Sequence, residues 1–164
     1  MIPKINTLLY ATDLSNTSVH AFRYAMGLAQ SLDARLHLLH VMEPLSDEAR
    51  MTVQLFIQNP RQREEALSRR REAVQAMLED RQEKFWAALN GQSAALRDRV
   101  GEVEVIEGFP AEEILKRADS LPADMILMGS HHQGIAHTFL GLVAKRVLRR
   151  ARVPVLIVPY AEHR

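Results

Sequence analysis

The sequence of 164 residues contains no cysteine, which excludes both a disulfide framework and thiolate chemistry. It also lacks an excess of charge of one sign, because its formal net charge is only +1. A chain with so little net charge has no bulk field that would draw it onto nucleic acid or a membrane. No apolar run approaches the roughly 20 residues of a membrane span, and the start of the chain lacks the charged and then apolar arrangement of a signal peptide. We therefore expect a cytoplasmic protein with no nucleic-acid or membrane partner.

Motifs of common enzyme classes are missing as well. The sequence has no Gly-x-Ser-x-Gly nucleophile elbow and no Walker Gly-Lys-Ser/Thr. His131, His132 and His137 lie close together in the sequence. Adjacent histidines rarely point at one ion, however, and the regular ligand spacing of zinc sites is absent. We therefore predict no catalytic residue and no metal site.

Short apolar runs alternate with amphipathic segments along the whole chain. The runs predict buried strands, and their continuous apolar character is typical of a parallel sheet that helices cover on both faces. The predicted strands are residues 7–11, 35–41, 103–106, 125–128 and 153–158. The length suits a single domain with a real core. We therefore predict one α/β domain with a five-stranded, doubly wound parallel sheet.

The segments between these runs predict helices. Apolar residues repeat at helical spacing up to residues 32–33, and further helices are predicted after Pro110 and over residues 138–150. Residues 43–59 are predicted to be irregular. A long helix should begin at Asn59-Pro60 and end near Asn90-Gly91, where it would overhang or break because about 45 Å exceeds a small domain. Its predicted apolar stripe comprises Leu67, Val74, Met77, Leu78, Phe85 and Leu89.

A polar loop that contains glycine separates the predicted strand 125–128 from the helix 138–150. Open α/β sheets bind ligands at the carboxyl ends of their strands, which is where this loop should lie. The N-terminus of a helix attracts anions through its N–H groups and its dipole. The sequence therefore makes phosphate binding by this loop the main functional question.

Three segments together resemble the universal stress protein family. Residues 9–15 resemble its opening strand and Asp turn, and residues 108–115 resemble its Gly-x-Pro-Ala-Glu-x-Ile helix start. Residues 123–131, with residues 153–159, resemble its final strand-loop-helix-strand unit. The resemblance covers nearly the whole chain. It implies a flavodoxin-like or Rossmann-like sheet of order 3-2-1-4-5 in one domain, residues 1–164, with an extended second helix in an insertion around residues 44–91.

Many members of this family bind ATP through a pattern of Gly, two residues, Gly, nine residues, Gly and then Ser or Thr. Gly129 matches the first glycine, and Gly141 matches the third if the loop is one residue shorter. His132 stands at the second glycine, and Leu142 stands where the hydroxyl belongs. A hydrogen bond to a charged group is worth roughly 1.5–3 kcal/mol, so losing one hydroxyl weakens binding about tenfold to a hundredfold.

The adenosine side of the family pattern is matched better, by Ala11-Thr12-Asp13 and His40-Val41. An alternative for Asp13 is that it only caps the first helix. For the histidines of the second strand, His37 and His40, we expect a structural role. The resemblance implies ATP, with magnesium, as the candidate ligand, with at most slow hydrolysis. The implied nucleotide-binding residues are Ala11, Thr12, Asp13, Val41, Met128, Gly129, His131, His132, Gly141, Leu142 and Val143.

The resemblance also implies a homodimer that pairs through its last strands. An apolar edge strand is prone to pair with another chain, which agrees with this expectation. Two functions stay open: a nucleotide-binding regulatory module of the stress response, and a dimeric stress protein that binds no nucleotide and acts through protein–protein interaction. The segment around residues 44–91, with its Phe85-Trp86 pair, should extend the dimer surface or meet an unidentified protein partner. The implied dimer edge is Val153, Val155, Leu156, Ile157 and Val158.

Overall fold

The computed structural model describes residues 1–15, 17–89, 91, 93–130 and 140–159. Within them, five parallel strands form one sheet of order β3-β2-β1-β4-β5, as predicted. The strands are β1 (Thr7–Ala11), β2 (Arg35–Met42), β3 (Val100–Glu107), β4 (Met125–Gly129) and β5 (Val155–Val158). The helices are α1 (Ser18–Leu32), α2 (Asp47–Phe56), α3 (Pro60–Ala87), α4 (Ser93–Arg97), α5 (Pro110–Ser120) and α6 (Leu142–Arg150).

The core lies on both faces of the central strand β1. Successive side chains of a strand point to opposite faces, so Leu8 and Tyr10 pack on the face that α1 covers. Leu9 and Ala11 pack on the other face, beneath α5 and α6. This two-sided burial explains the continuous apolar runs of the sequence. None of the described helices combines the length and the apolar composition that crossing a membrane requires.

Helix α3 is a single unbroken helix of 28 residues, about 42 Å long. It begins as predicted, because the Asn59 side chain accepts a hydrogen bond of 2.9 Å from the backbone N–H of Arg61. Its predicted apolar stripe is only partly correct, since Leu67 and Met77 are 45% and 49% exposed. Its buried residues, Leu78, Phe85 and Trp86, all lie in its C-terminal third. The N-terminal part therefore buries no side chain.

An aromatic cluster attaches the C-terminal part of α3 to α1. The Phe85 ring centroid lies 4.6 Å from that of Phe22 and 5.0 Å from that of Trp86. Phe22 in turn stacks on Tyr10 of β1 at 5.8 Å. Edge-to-face and offset pairs of this kind add stability beyond the area that they bury. The long helix is therefore part of the core at one end only.

Two helices were missed by the sequence-based prediction. Residues 43–59 contain α2, which begins where the Ser46 hydroxyl accepts a hydrogen bond of 3.2 Å from Ala49 N–H. None of its residues is buried, and its ten residues are fewer than the window over which helical spacing is recognised, although Ala49, Val53 and Phe56 do stand at that spacing. The short helix α4 precedes β3, and β3 itself is longer than predicted.

The last two elements begin later than predicted. Gly141 has an extended conformation (φ −60°, ψ 162°), so α6 starts at Leu142 and not at residue 138. Strand β5 starts at Val155, after Pro154. Val153, which was predicted to belong to the dimer edge, therefore lies outside the strand. Residues before a proline are restricted, and proline donates no hydrogen bond to a sheet. As predicted, β5 is an edge strand, next to β4.

Candidate functional site

A cavity of about 440 Å³ opens at the carboxyl ends of β1, β2 and β4. This volume lies within the range of small-molecule sites, and the position is the switch point at which doubly wound sheets bind ligands. Predicted site residues that line the cavity are Ala11, Thr12, Asp13, Val41, Met128, Gly129, Gly141, Leu142 and Val143. The predicted residues His131 and His132, like His137, lie outside the described residues.

The floor of the cavity is fixed by backbone hydrogen bonds of Thr12. Its N–H donates to the carbonyl of Leu39 over 2.9 Å, which continues the pairing of β1 with β2 beyond the strand. Its carbonyl accepts a bond of 2.7 Å from Nδ1 of His40. Because a carbonyl can only accept, Nδ1 of His40 carries the proton in this arrangement. His40 therefore has the expected structural role, and it also lines the cavity.

Asp13 belongs to a tight turn that follows the floor. Its Oδ1 accepts a bond of 2.9 Å from the N–H of Ser15, which forms an Asx turn. Leu14, between them, has φ of 60°, and its N–H donates to the Thr12 hydroxyl over 3.2 Å. Thr17 immediately precedes α1, and its side chain makes no capping hydrogen bond to the helix. The Asp13 carboxylate thus stabilises the turn that leads into α1.

Three helices begin at the cavity. Thr17 and Ser18 stand at the start of α1, Pro110 at the start of α5 and Gly141 at the start of α6. The first N–H groups of a helix have no partner within the helix, and its N-terminus is positive, so the cavity suits an anion. Gly141 provides no side-chain cap, and Leu142 is 73% exposed. The start of α6 thus offers backbone donors, and Leu142 stands where the family pattern has a hydroxyl.

The charged side chains of the described lining are acidic. Asp13 and Glu43 carry carboxylates, and no described lining residue is lysine or arginine. Carboxylates accept hydrogen bonds from hydroxyl groups such as those of a sugar. Tyr10, also in the lining, donates its hydroxyl to the carbonyl of Ser18 over 2.8 Å. Burial raises the pKa of Tyr10, which keeps this hydroxyl protonated.

Several lining residues were not predicted from the sequence. Glu43 directly follows β2, and Ser130 directly follows β4. Both stand at the carboxyl edge of the sheet, so their position after a predicted strand was a usable signal. Thr17, Ser18, Pro110 and Ile114 reach the cavity from helix starts and offered no such signal. Across the described part of the chain, no three His, Asp or Glu side chains cluster in a way that would hold a metal ion.

The model of the universal stress protein family matches residues 4–159. The chain belongs to this family. A universal stress protein of Thermus aquaticus is 33% identical over 153 residues, which cover 93% of this chain and 97% of the relative. The solved structure of MJ0577, a universal stress protein of Methanocaldococcus jannaschii, superposes with a TM-score of 0.70 at 24% identity and covers 98% of this chain and 100% of that one. A universal stress protein in complex with cAMP superposes with a TM-score of 0.61 at 20% identity, covering 96% and 98% of the two chains.

Proposed function

We propose that this universal stress protein is a regulatory module of the stress response that binds an adenine nucleotide in its cavity. The observation that carries the proposal is the convergence of three helix starts on a cavity at the carboxyl edge of the sheet. A neutral, apolar ligand would gain nothing from those positive helix ends, whereas a phosphate would. The relative in complex with cAMP makes adenine nucleotides the class of ligand to test first.

The lining divides into parts that suit the parts of a nucleotide. Val41 and Met128 offer apolar surface to a base, while Asp13 and Glu43 offer carboxylates to ribose hydroxyls. The backbone at Gly141 and Leu142 would face the phosphate. Magnesium, if bound with ATP, would neutralise phosphate charge that no described lysine or arginine of the lining meets. We propose a binding role without catalysis beyond slow hydrolysis.

The first test is to identify the small molecules that the purified protein releases on denaturation, together with calorimetric titration of AMP, cAMP and ATP–magnesium. A ligand that binds only the folded state also raises stability, by about 2.7 kcal/mol at a hundred times its Kd. Asp13→Ala should weaken binding by removing both a carboxylate of the lining and the turn that it closes. Asp119→Ala, on the exposed side of α5, is the matched control. Absence of released nucleotide and of any heat at millimolar ligand would refute the proposal.

Leu142 favours a second candidate, a dimeric stress protein that binds no nucleotide and acts through protein contacts. The side chain of an exposed leucine at this rim of the cavity offers no donor to an anion, whereas exposed apolar side chains suit a protein interface. The same titration distinguishes the two candidates. A chain that binds no nucleotide but captures a partner, or that depends on its dimer for activity in cells, would support this second function.

We also propose that the protein forms a homodimer through the free edge of β5. The carbonyls of Pro154 and Val158 accept bonds from β4, so by alternation the N–H of Ile157 points to the open edge. Ile157→Pro removes that N–H, and Ile157→Ala is a control that keeps it. Light scattering should give a dimer for the wild-type chain and the alanine variant and a monomer for the proline variant. A wild-type monomer at micromolar concentration would contradict the proposal.

A further inference from the structure

The long helix α3 touches the loops around the cavity at two points. The Arg81 guanidinium donates to the carbonyl of Ser15 and, over 3.1 Å, to Oγ of Ser18. Arg70 donates over 2.7 Å to the carbonyl of Glu43 and lies 3.5 Å from the carboxylate of Glu107. The two arginines are about three helical turns apart and therefore share one face of α3. One face of this helix thus meets both the β1–α1 turn and the end of β2.

Packing fixes the position of Arg81 along the sheet. It lies between Leu78 and Phe85, both of which are buried, at the helical spacing that places all three on one face. Phe85 is held against Phe22 of α1, with the ring centroids 4.6 Å apart. Because Leu78 and Phe85 are anchored in the core, the Arg81 guanidinium is held beside Ser15 and Ser18.

The turn that Arg81 contacts is the one that carries Asp13. The Ser15 carbonyl accepts bonds from the N–H of Ser18 at 3.1 Å and from its hydroxyl at 2.6 Å, in addition to the bond from Arg81. The N–H of the same Ser15 donates to the carboxylate of Asp13. Arg81 and Asp13 are therefore linked through a single residue of the turn.

The turn has the cavity on one side and α3 on the other. Thr12 and Ser18 line the main cavity, and they also line a small crevice of about 20 Å³ of which Arg81 forms part. Arg81 itself is absent from the lining of the main cavity. Arg81 therefore makes no direct contact with a ligand in this cavity, and it can act on one through the conformation of the turn or through the field of its positive charge, which Arg81→Lys keeps.

We propose that Arg81 is a positioning residue that holds the Asp13–Ser15 turn in its ligand-binding conformation and thereby couples nucleotide occupancy to the docking of α3. The inference rests on the proposed function. If the turn adopts the binding conformation only part of the time, the measured Kd rises in inverse proportion to that fraction. By reciprocity, a bound nucleotide that selects this conformation also favours the docked position of α3.

The test compares three variants with the wild-type chain. Arg81→Met keeps much of the apolar stem but no donor, and Arg81→Lys keeps the charge and one donor group. Arg71→Met is the matched control, because Arg71 is exposed on the same helix. In calorimetric titrations with AMP and ATP–magnesium, we expect Arg81→Met to bind about tenfold more weakly. Arg81→Lys should recover part of the affinity, and Arg71→Met should equal the wild type.

Two further measurements separate positioning from a general loss of structure. Amide hydrogen exchange of Leu14 and Ser15 in the free protein should be faster in Arg81→Met, while exchange in β1 is unchanged. Trp86, the single tryptophan of the chain, is 5% exposed on α3, so its fluorescence reports on the docking of this helix. Trp86 emission should therefore be the same in Arg81→Met and the wild type if the helix stays docked, and saturating nucleotide should slow the exchange of Leu14 and Ser15 in the wild-type protein, a test that needs no variant.

The outcomes are distinguishable from those of the proposed function. If the wild-type chain binds none of the nucleotides, the proposed function is wrong and this inference is wrong with it. If the wild type binds but Arg81→Met binds with the same Kd, the inference alone is overturned. Exchange of Leu14 and Ser15 that is as slow in Arg81→Met as in the wild type also overturns it.

Discussion

Adding the missing hydroxyl at Leu142 is the sharpest test of the phosphate side of the cavity. Leu142 is the first residue of α6, lines the cavity and is 73% exposed. Replacing it removes little buried surface, so we expect Leu142→Ser to change the free energy of unfolding by no more than about 0.5 kcal/mol. The substitution therefore alters ligand chemistry at the start of the helix while it leaves the fold intact.

The expected gain follows from the hydrogen bond that a serine hydroxyl would donate to a phosphate oxygen. Bonds to charged groups contribute about 1.5–3 kcal/mol, and a factor of ten in Kd corresponds to about 1.4 kcal/mol. Leu142→Ser should therefore bind ATP–magnesium roughly tenfold to a hundredfold more tightly than Leu142→Ala. The alanine variant is the proper reference, because it removes the leucine side chain without adding a donor.

Isothermal titration calorimetry on both variants measures this difference directly. Adenosine, which has no phosphate, serves as the control ligand and should bind the two variants equally. Equal affinities of the two variants for ATP–magnesium would refute the reasoning, since the start of α6 would then not face the phosphate. A gain with adenosine as large as that with ATP would refute it too.

Two further predictions concern the fold. Phe85→Ala should lower the free energy of unfolding by about 3–5 kcal/mol, because Phe85 is buried between Phe22 and Trp86. Leu67→Ala, on the exposed part of the same helix, should lower it by less than about 1 kcal/mol. Urea denaturation measures both, and equal effects would contradict the burial of α3 at one end only. Burial lowers the pKa of His37, an effect that Glu102 and Glu104 oppose, and Nδ1 of the ring accepts a bond of 3.1 Å from the N–H of Glu102. The unfolded state therefore takes up the proton first, so the contribution of His37 to stability is complete above the unfolded pKa of about 6.5 and falls as the pH drops toward the lower folded pKa. Between pH 7.5 and pH 5.0, urea unfolding should show a larger loss of unfolding free energy for the wild type than for His37→Gln. The opposite order would refute the assignment.

The sequence predicts the sheet and the floor of the site because both depend on local patterns. Continuous apolar runs mark the strands, and Asp13 and Gly129 stand where two of those strands end. Residues at the carboxyl ends of neighbouring parallel strands lie close together, so these short motifs were enough to predict which residues form the floor of the site.

The contacts of α3 could not be predicted in this way. Arg81 bonds Ser15, which is 66 residues away in the sequence, and Arg70 bonds Glu43, which is 27 residues away. The sequence has 21 lysines and arginines, and no local pattern separates these two from those that face solvent. Helix α2 was missed for a different reason, because its ten residues lie between Pro44 and Pro60 and are fewer than the window over which helical spacing is recognised.

The double attachment of Thr12 has a consequence for how this site can change in evolution. Both of its backbone groups are used by β2, so the floor of the cavity is part of the same structure that keeps the sheet together. The opposite rim at Gly141 and Leu142 carries little packing, as the exposure of Leu142 indicates. If the cavity binds a nucleotide as proposed, substitutions at this rim should change the affinity for the ligand at little cost in stability. Folding and the choice of ligand would then depend on different residues of the same cavity.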